Sequence, residues 1–501
     1  MLPRAAALLA LLLGRSAAAP PHIIFSLVDD LGSYNVGWRN ANATSPNIDR
    51  LARGGTLLAR HYAYKFCSPT RSALLSGRLP LHVNEDNPAT IDSVGGVDLR
   101  MALLPQRLKA AADYYTVAIG KWHLGARQRA NLPGRRGFDH HFGFLTGGED
   151  HFTQVGYEAA NAIDLWAADA SDAAAREGGA PALGRNGTYS CELYAAEAAR
   201  VVMAHDPSRP LFLYQAWHDT HAPYEAPERY ADGSIAYADR RVMQAMVACV
   251  DEGTGNLTAA LDARDMWENT LLVWSADNGG PQYWNANNYP YRGGKGTDFE
   301  GGVRAAAFVA GGFLPAAAPS EIAAPIHVCD WYATFLKLAG VGDPADPVDG
   351  LPDVDAVDVW PLFAAPASAA ALAPPRSEVP LSSMALIVGD FKLVTNTTVV
   401  LGVLSGYWTG PVWPFDDART PLEADPGCPL GGCLFNITAD PTEHDELSAR
   451  FPDKRRELVD RLAELVAGRY QTAYEDPDEQ NCTTLAEYVA THAGFAGPVC
   501  A

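Results

Sequence analysis

The chain has 501 residues, 48% of them apolar and 19% charged. That length implies roughly two to four domains and a core large enough to stand without a disulfide scaffold. The apolar content excludes wholesale disorder. Lys and Arg total 38 against 59 Asp and Glu, a net charge of −21. A surface that acidic repels phosphate backbones and anionic lipid, so no nucleic acid and no membrane is expected among its partners.

In chain order, Arg4 precedes an apolar stretch, Ala5 to Leu13, and small residues run on to Ala19. This pattern predicts a signal peptide over 1–19, hence the secretory pathway and an extracellular or lysosome-like compartment. Nine apolar residues cover only about half of a bilayer core, and no later stretch reaches the roughly 18 needed to span one. Six N-x-[ST] sequons, at Asn42, Asn186, Asn256, Asn396, Asn436 and Asn481, agree with a secreted glycoprotein. The eight cysteines form an even count, which suggests pairing in that compartment. Cys428 with Cys433, and Cys482 with Cys500, are near enough to close small loops. No CxxC pair occurs, which argues against a zinc ribbon.

Four short apolar runs end abruptly in polar chemistry. His22–Val28 leads into Asp29 and Asp30; Thr116–Gly120 leads into Lys121, Trp122 and His123. Leu211–Trp217 leads into His218 and His221, and Thr270–Ser275 leads into Asp277 and Asn278. Their length and β-branched or aromatic content predict buried strands. Helical patterns lie between, over Leu99–Ala112 and Tyr194–Ala204. The alternation predicts an α/β layered fold, in which ligands sit outside the carboxyl ends of the strands. The four polar tails therefore describe one site.

The stretch 364–376, rich in Ala and Pro, predicts a linker. Beyond it, Ser383–Val394 suggests a strand pair turning at Gly389-Asp390. Leu458, Val459, Leu462, Leu465 and Val466 share one face of a helix that stops at Gly468. The expected organisation is a catalytic domain over 20–363 and a smaller α+β domain over 377–501.

The most informative motif is Cys67-Ser68-Pro69-Thr70-Arg71, followed by Leu75-Ser76-Gly77-Arg78. Ser68 can cap and Pro69 suits a first turn, so a helix is expected just after Cys67. Its free N–H groups, with Arg71 one turn in, would receive an anion. A buried cysteine ahead of an ordinary helix accounts for the spacing equally well.

These tracts resemble the type I sulfatase signature, Cys-x-Pro-Ser/Thr-Arg followed by Leu-Thr-Gly-Arg, with Ser76 in place of Thr. Gly120-Lys121-Trp122-His123 matches a second family tract, and Asp113 stands where the family often has Gly. Leu132–Asp139, Asn287–Gly293 and Glu300–Arg304 extend the resemblance over nearly the whole mature chain, closest to the arylsulfatase B branch of N-acetylgalactosamine-4-sulfatases. One departure is the stretch His82–Arg100, which contains no Cys where that branch carries cysteines.

The resemblance implies an alkaline-phosphatase-like large mixed sheet sandwiched by helices. It implies that Cys67 is converted to Cα-formylglycine by a formylglycine-generating enzyme, its hydrate acting as nucleophile. Asp29, Asp30, Asp277 and Asn278 are hard oxygen donors that suit Ca²⁺ or Mg²⁺ and not zinc; the family favours one Ca²⁺, with residue 67 as a further ligand. Read alone, Asp29-Asp30 could equally be a cap or turn. By the same resemblance, Arg71 helps hold the residue-67 hydrate, and Lys121 and Lys295 contact sulfate. His221 is the acid beside the leaving oxygen, and His123 deprotonates the second hydroxyl so that sulfate departs. His218 has no family counterpart and is expected to be structural.

The implied activity is hydrolysis of sulfated sugars or aryl sulfates. Two alternatives are a phosphomonoester or phosphonate hydrolase on the same scaffold and a non-catalytic glycan-binding relative. Cys at the nucleophile position and a complete ligand set favour the sulfatase.

Overall fold

A computed structural model of the chain describes residues 19–88, 90–93, 95–156, 161–169, 178–345, 348–364, 374–395, 399–400, 403–404, 406–416, 421–470 and 481–500. The expected signal peptide, the sequon at Asn396 and most of the expected linker lie outside them.

The large sheet has ten strands: β1 (His22–Val28), β2 (Thr56–Leu58), β3 (Tyr115–Gly120), β4 (His140–Gly143), β5 (Trp166–Asp169), β6 (Ala180–Pro181), β7 (Leu211–Trp217), β8 (Thr270–Ala276), β9 (Ala307–Ala310) and β10 (Glu321–Ile322). Their order is β10-β2-β9-β8-β1-β7-β3-β4-β5-β6. The four predicted runs are the four adjacent central strands β8, β1, β7 and β3, all mutually parallel. Their registers end together, with Val28 opposite both Ala276 and Trp217 and with Gly120 opposite Ala216. The polar tails therefore emerge side by side. Antiparallel strands flank the centre, where β9 pairs with β8 and with β2, and β5 pairs with β4.

Side chains alternate between the two faces of the sheet. Ile23, Phe25 and Leu27 of β1 join one core with Leu74 of helix α2 (Cys67–Ser76), Leu108 of α3 (Leu104–Ala112) and Phe335 of α6 (Asp330–Leu338). Ile24 and Val28 join the other with Ile48 of α1 (Pro46–Gly54), Val201 of α4 (Ser190–Ala204) and Val250 of α5 (Ala238–Ala263). Both faces of the sheet are thus covered, which is why its strands read as continuous apolar runs. The fold is the expected α/β sandwich of alkaline-phosphatase type.

Helix α3 starts at Leu104 and not at Leu99. Pro105 occupies the first turn, and the Gln106 side chain takes the Leu103 N–H, which fixes the start there. Asp113 ends it with φ 52°, a left-handed cap of the kind glycine usually fills.

A second, antiparallel sheet is made of β11 (Glu378–Ser382), β12 (Ala385–Val388), β13 (Phe391–Val394) and β14 (Cys433–Asn436) in that order. Helix α7 (Pro452–Ala467) lays Leu458 and Leu462 on it and ends at Gly468, as its pattern predicts. Residues beyond 481 return to the large sheet, where Tyr488, Ala496 and Val499 join its core. Disulfides Cys428–Cys433 and Cys482–Cys500 form as their spacing suggests, and Cys191–Cys249 ties α4 to α5. Cys67 and Cys329 are free and buried. Among the described residues no helix is long and apolar enough to cross a membrane.

Candidate active site

Helix α2 begins at Cys67 itself. Phe66, in extended conformation, is the cap residue, and Ser68 lies inside the first turn. Ser68 is therefore not the cap that the sequence suggests. Its hydroxyl accepts from Asn84 Nδ2 at 3.1 Å, and its N–H donates to Asn87 Oδ1 at 3.0 Å. The helix stops at Gly77, whose φ of 71° admits the left-handed cap; a Cβ there would meet the Tyr332 ring at 2.5 Å.

This placement buries Cys67 beneath the carboxyl ends of the central strands. Its Sγ lies 3.2 Å from Asp29 Oδ1, 4.0 Å from Asp30 Oδ1 and 3.6 Å from Lys295 Nζ. Lys121 Nζ reaches Asp29 Oδ2 at 2.6 Å, and Lys295 Nζ lies 2.7 Å from the Asp30 carboxylate. Arg71 bonds Asp277 Oδ2 at 2.7 Å, stands 3.6 Å from Asp29 Oδ2 and donates to the Lys121 carbonyl. Asn278 Nδ2 donates to Asp30 Oδ1 at 2.8 Å. Thr70 Oγ1 donates to the Asp277 carbonyl at 2.7 Å, tying α2 to the end of β8. Asp30 and His123 both sit at positive φ, 54° and 55°. Backbone in that region is strained for non-glycine residues and concentrates at functional sites.

Burial is nearly complete, so charge balance governs the site. Burial opposes ionisation of Asp29, but Lys121, His221 and Arg71 outweigh it and hold that carboxyl well below its usual range. Burial, with Asp29 beside it, pushes Asp277 up to about 7. Burial and then Asp29 push the Cys67 thiol far up, so it stays protonated.

The two catalytic candidates among the histidines have assignable tautomers. His123 Nε2 sits 2.7 Å from the Pro88 carbonyl, which can only accept, so Nε2 carries the proton. Its Nδ1 is buried with no partner among the described residues. Burial, then Lys121 and Arg71, hold His123 well below its ordinary pKa, leaving Nδ1 a neutral base. His221 Nδ1 donates to the Ala222 carbonyl at 2.9 Å, which turns Nε2 toward Asp30 Oδ2, 3.8 Å away. Burial, then Lys295 and Lys121, lower His221 to about 4.

Asp29, Asp30, Cys67 and His221 offer donor atoms within 4.8 Å of one another. Asn278 Oδ1 is buried without a hydrogen-bond partner among the described residues. A ring of carboxylates around an orphaned amide oxygen suits a hard divalent cation, so these residues fit the expected ion.

Every expected site residue converges here. Several further contributors were not legible in the sequence. Tyr214 OH lies 3.4 Å from Arg71 Nη1, yet within β7 it reads as core. Asn288 clamps the loop that carries Lys295, its Nδ2 donating to the carbonyls of Gly280 and Gly293. His151 Nε2 donates to the His221 carbonyl at 3.1 Å. His218 is packed between Phe144 and His151, with ring centroids 4.8 and 4.2 Å away, and neither ring nitrogen has a partner among the described residues.

A doubly covered mixed sheet whose parallel centre gathers cations and hard oxygen ligands around the first turn of a helix suits a hydrolase for anionic esters. The family model described as Sulfatase matches residues 21–341, and the chain belongs to the sulfatase family, the sulfuric ester hydrolases.

Arylsulfatase J of Mus musculus is 31% identical over 93% of this chain and 79% of its own length. Arylsulfatase A of Homo sapiens is 29% identical over 91% and 89%. N-acetylgalactosamine-6-sulfatase of Mus musculus is 31% identical over 70% and 68%. Among solved structures, Ps i-CgsB superposes with a TM-score of 0.72 at 25% identity, covering 95% of this chain and 98% of that one. PsFucS1 sulfatase from Pseudoalteromonas sp. gives 0.71 at 25%, covering 91% and 92%. The similarity spreads over several sulfatases and is not specific to the arylsulfatase B branch.

Proposed function

We propose that the protein is a secretory-pathway sulfatase that releases sulfate from sulfated sugars or aryl sulfates, using a Cα-formylglycine at position 67 and one Ca²⁺. The observation that carries this reading is the setting of Cys67. As a thiol held protonated beside Asp29 it is a poor nucleophile, yet Lys121, Lys295 and Arg71 surround it with the positive charge a sulfuryl group needs. A formylglycine-generating enzyme acting during biosynthesis would resolve that conflict.

A hydrated formylglycine would supply the attacking oxygen. Asp29, Asp30, Asp277 and Asn278 would hold the ion, which supplies Lewis acidity and charge compensation. Lys121 and Lys295 take the sulfuryl oxygens, where negative charge grows in the transition state. Burial, then the surrounding cations, hold His221 neutral; an arriving anionic sulfate offsets the cations, so His221 gains a proton at Nε2 that it can give to the leaving oxygen. Nδ1 of His123 is the base that takes a proton from residue 67 when sulfate is expelled.

The catalytic domain over 20–363, the linker and the smaller domain over 377–501 complete this proposal. Exposed sequons at Asn42, Asn186, Asn256 and Asn481 are consistent with a glycoprotein. The phosphonate reading draws only on fold likeness, since the phosphonate monoester hydrolase of Agrobacterium radiobacter is 16% identical with a TM-score of 0.57.

The test is sulfate release from a panel of defined sulfated sugars and nitrophenyl sulfate, with matched phosphate and phosphonate esters beside them. Preferential turnover of the sulfates supports the reading. Turnover of phosphorus esters alone overturns it.

A further inference from the structure

The residues described so far account for the sulfate group and the bond that breaks. They leave the body of the alcohol, which must lie on the far side of the leaving oxygen from residue 67, next to His221. The loop that follows His221 and the loop that follows Asn278 meet in one aromatic pair. Three residues beyond His221, in the same loop, stands Tyr224. It is half-buried and packed against the cluster of Ala43, Met243, Ala286 and Trp413. Six residues beyond Asn278, in the short 3-10 turn Gln282–Trp284, stands Trp284, which is 49% exposed. The two rings lie 6.0 Å apart and 29° from parallel. The Tyr283 ring lies 5.9 Å from that of Trp284. Burial and Asp30 push the Tyr283 phenol up to about 12 and Lys295 opposes them, so this turn lies within the field of the sulfate site.

A half-exposed tryptophan stacked on a second ring, six residues beyond a site residue, leaves an apolar face open to a ligand. The chain directly after Trp284 is held in place. Asn285, directly after it, takes a left-handed conformation, φ 82°, and its carbonyl accepts from Trp413 Nε1 at 3.1 Å. The backbone that presents Trp284 is therefore anchored, as ligand-orienting surfaces generally are.

We infer that Tyr224 and Trp284 form an aromatic shelf that receives the ring of the alcohol carrying the sulfate. This inference rests on the sulfatase reading and narrows it to esters of ring alcohols. A pyranose and an arene share what the shelf recognises, a flat carbon-rich face. The occupant we assign is the pyranose, whose polar rim stays in water while its C–H face lies on the indole. Simple alkyl sulfates lack such a face and gain nothing from it.

The experiment uses the full-length enzyme and three probes: a panel of pyranose monosulfates, 4-nitrophenyl sulfate and propyl sulfate. In Trp284→Ala and Tyr224→Ala, KM for pyranose sulfates should rise about tenfold, the scale of one aromatic contact. Their kcat should change little, KM for propyl sulfate should not move, and inhibition by inorganic sulfate should match wild type, which also reports an intact fold. Trp284→Phe should recover most of the loss. An equal KM rise for 4-nitrophenyl sulfate supports a shelf for any flat ring; a rise for that probe alone overturns the pyranose assignment. Unchanged KM for every ring substrate in both variants removes the shelf while leaving the sulfatase. No sulfate release from any probe by wild type removes the function on which the shelf rests.

Discussion

Lys121 Nζ stands 2.6 Å from Asp29 Oδ2, and both side chains are fully buried. The pair joins the ends of β3 and β1 and carries charge that must balance within the protein. Replacing Lys121 by Met should cost about 10²–10³ in kcat, as removing a transition-state donor does. It should also cost about 3–5 kcal/mol of stability, because Asp29 is left buried and short of a partner. Lys295 is 13% exposed at the side chain, and its partner Asp30 keeps the Asn278 amide. Lys295→Met should show a similar kinetic loss with a smaller loss of stability. Steady-state kinetics and urea unfolding on the two variants check the contrast; turnover within a factor of about two in either assigns that lysine to charge balance alone.

Removal of divalent cations should abolish turnover and lower the melting temperature together. Without a cation, Asp29, Asp30 and Asp277 crowd one sheet edge, and Asp277 is already pushed up to about 7. Chelation followed by readdition of Ca²⁺ should restore both properties, and Asp277→Ala should weaken the rescue. Full activity in a demonstrably metal-free sample would contradict the ligand assignment.

The four central strands were legible because buried parallel strands are apolar on both faces and cannot be confused with amphipathic helices. The polar residues at their ends stood out against those runs. The loops that complete the site were not legible. Asn288 reads as a turn residue until its amide is seen bridging Gly280 and Gly293. Tyr214 sits at an inward position of β7, where a tyrosine normally contributes packing, and only the third dimension shows its hydroxyl meeting Arg71. Ser68 shows the limit of capping rules. Its hydroxyl could serve the helix, but Phe66 supplies the extended cap backbone and Asn84 claims the hydroxyl. The stretch beyond residue 481 was expected in the smaller domain, yet Tyr488, Ala496 and Val499 join the core of the large sheet; its few apolar residues do not say which core they join.

His221 should matter in proportion to how poor the leaving group is. A nitrophenolate departs with little protonation, whereas a sugar alkoxide needs a proton as it leaves. His221→Ala should therefore damage sugar-sulfate turnover far more than nitrophenyl-sulfate turnover. Equal losses on both substrates would show that His221 is not the leaving-group acid.

Acid should destabilise the fold partly through His61. Its Nε2 accepts from Trp331 Nε1 at 3.0 Å, which leaves Nδ1 carrying the proton toward Ser275. Burial lowers its pKa from 6.5 to about 3. A depressed pKa means that the unfolded chain binds the proton first, so this contribution is complete above pH 6.5 and is lost as pH falls toward 3. At pH 5 one such group amounts to about 2 kcal/mol. Glu149, which burial raises, works in the opposite sense, losing its contribution as pH rises. Comparing urea unfolding of wild type and His61→Gln at pH 7.5 and 5.0 isolates the histidine: the variant should lose less stability on acidification. An identical pH slope in both proteins would contradict the assignment.

The central claim, that residue 67 works as an aldehyde and not as a thiol, is tested most directly by peptide mass spectrometry paired with activity. Preparations made with varying amounts of formylglycine-generating enzyme should release sulfate from nitrophenyl sulfate in proportion to the fraction of residue 67 found as formylglycine, and Cys67→Ala should fold and release none. Full turnover from a preparation in which residue 67 is entirely cysteine would contradict the account.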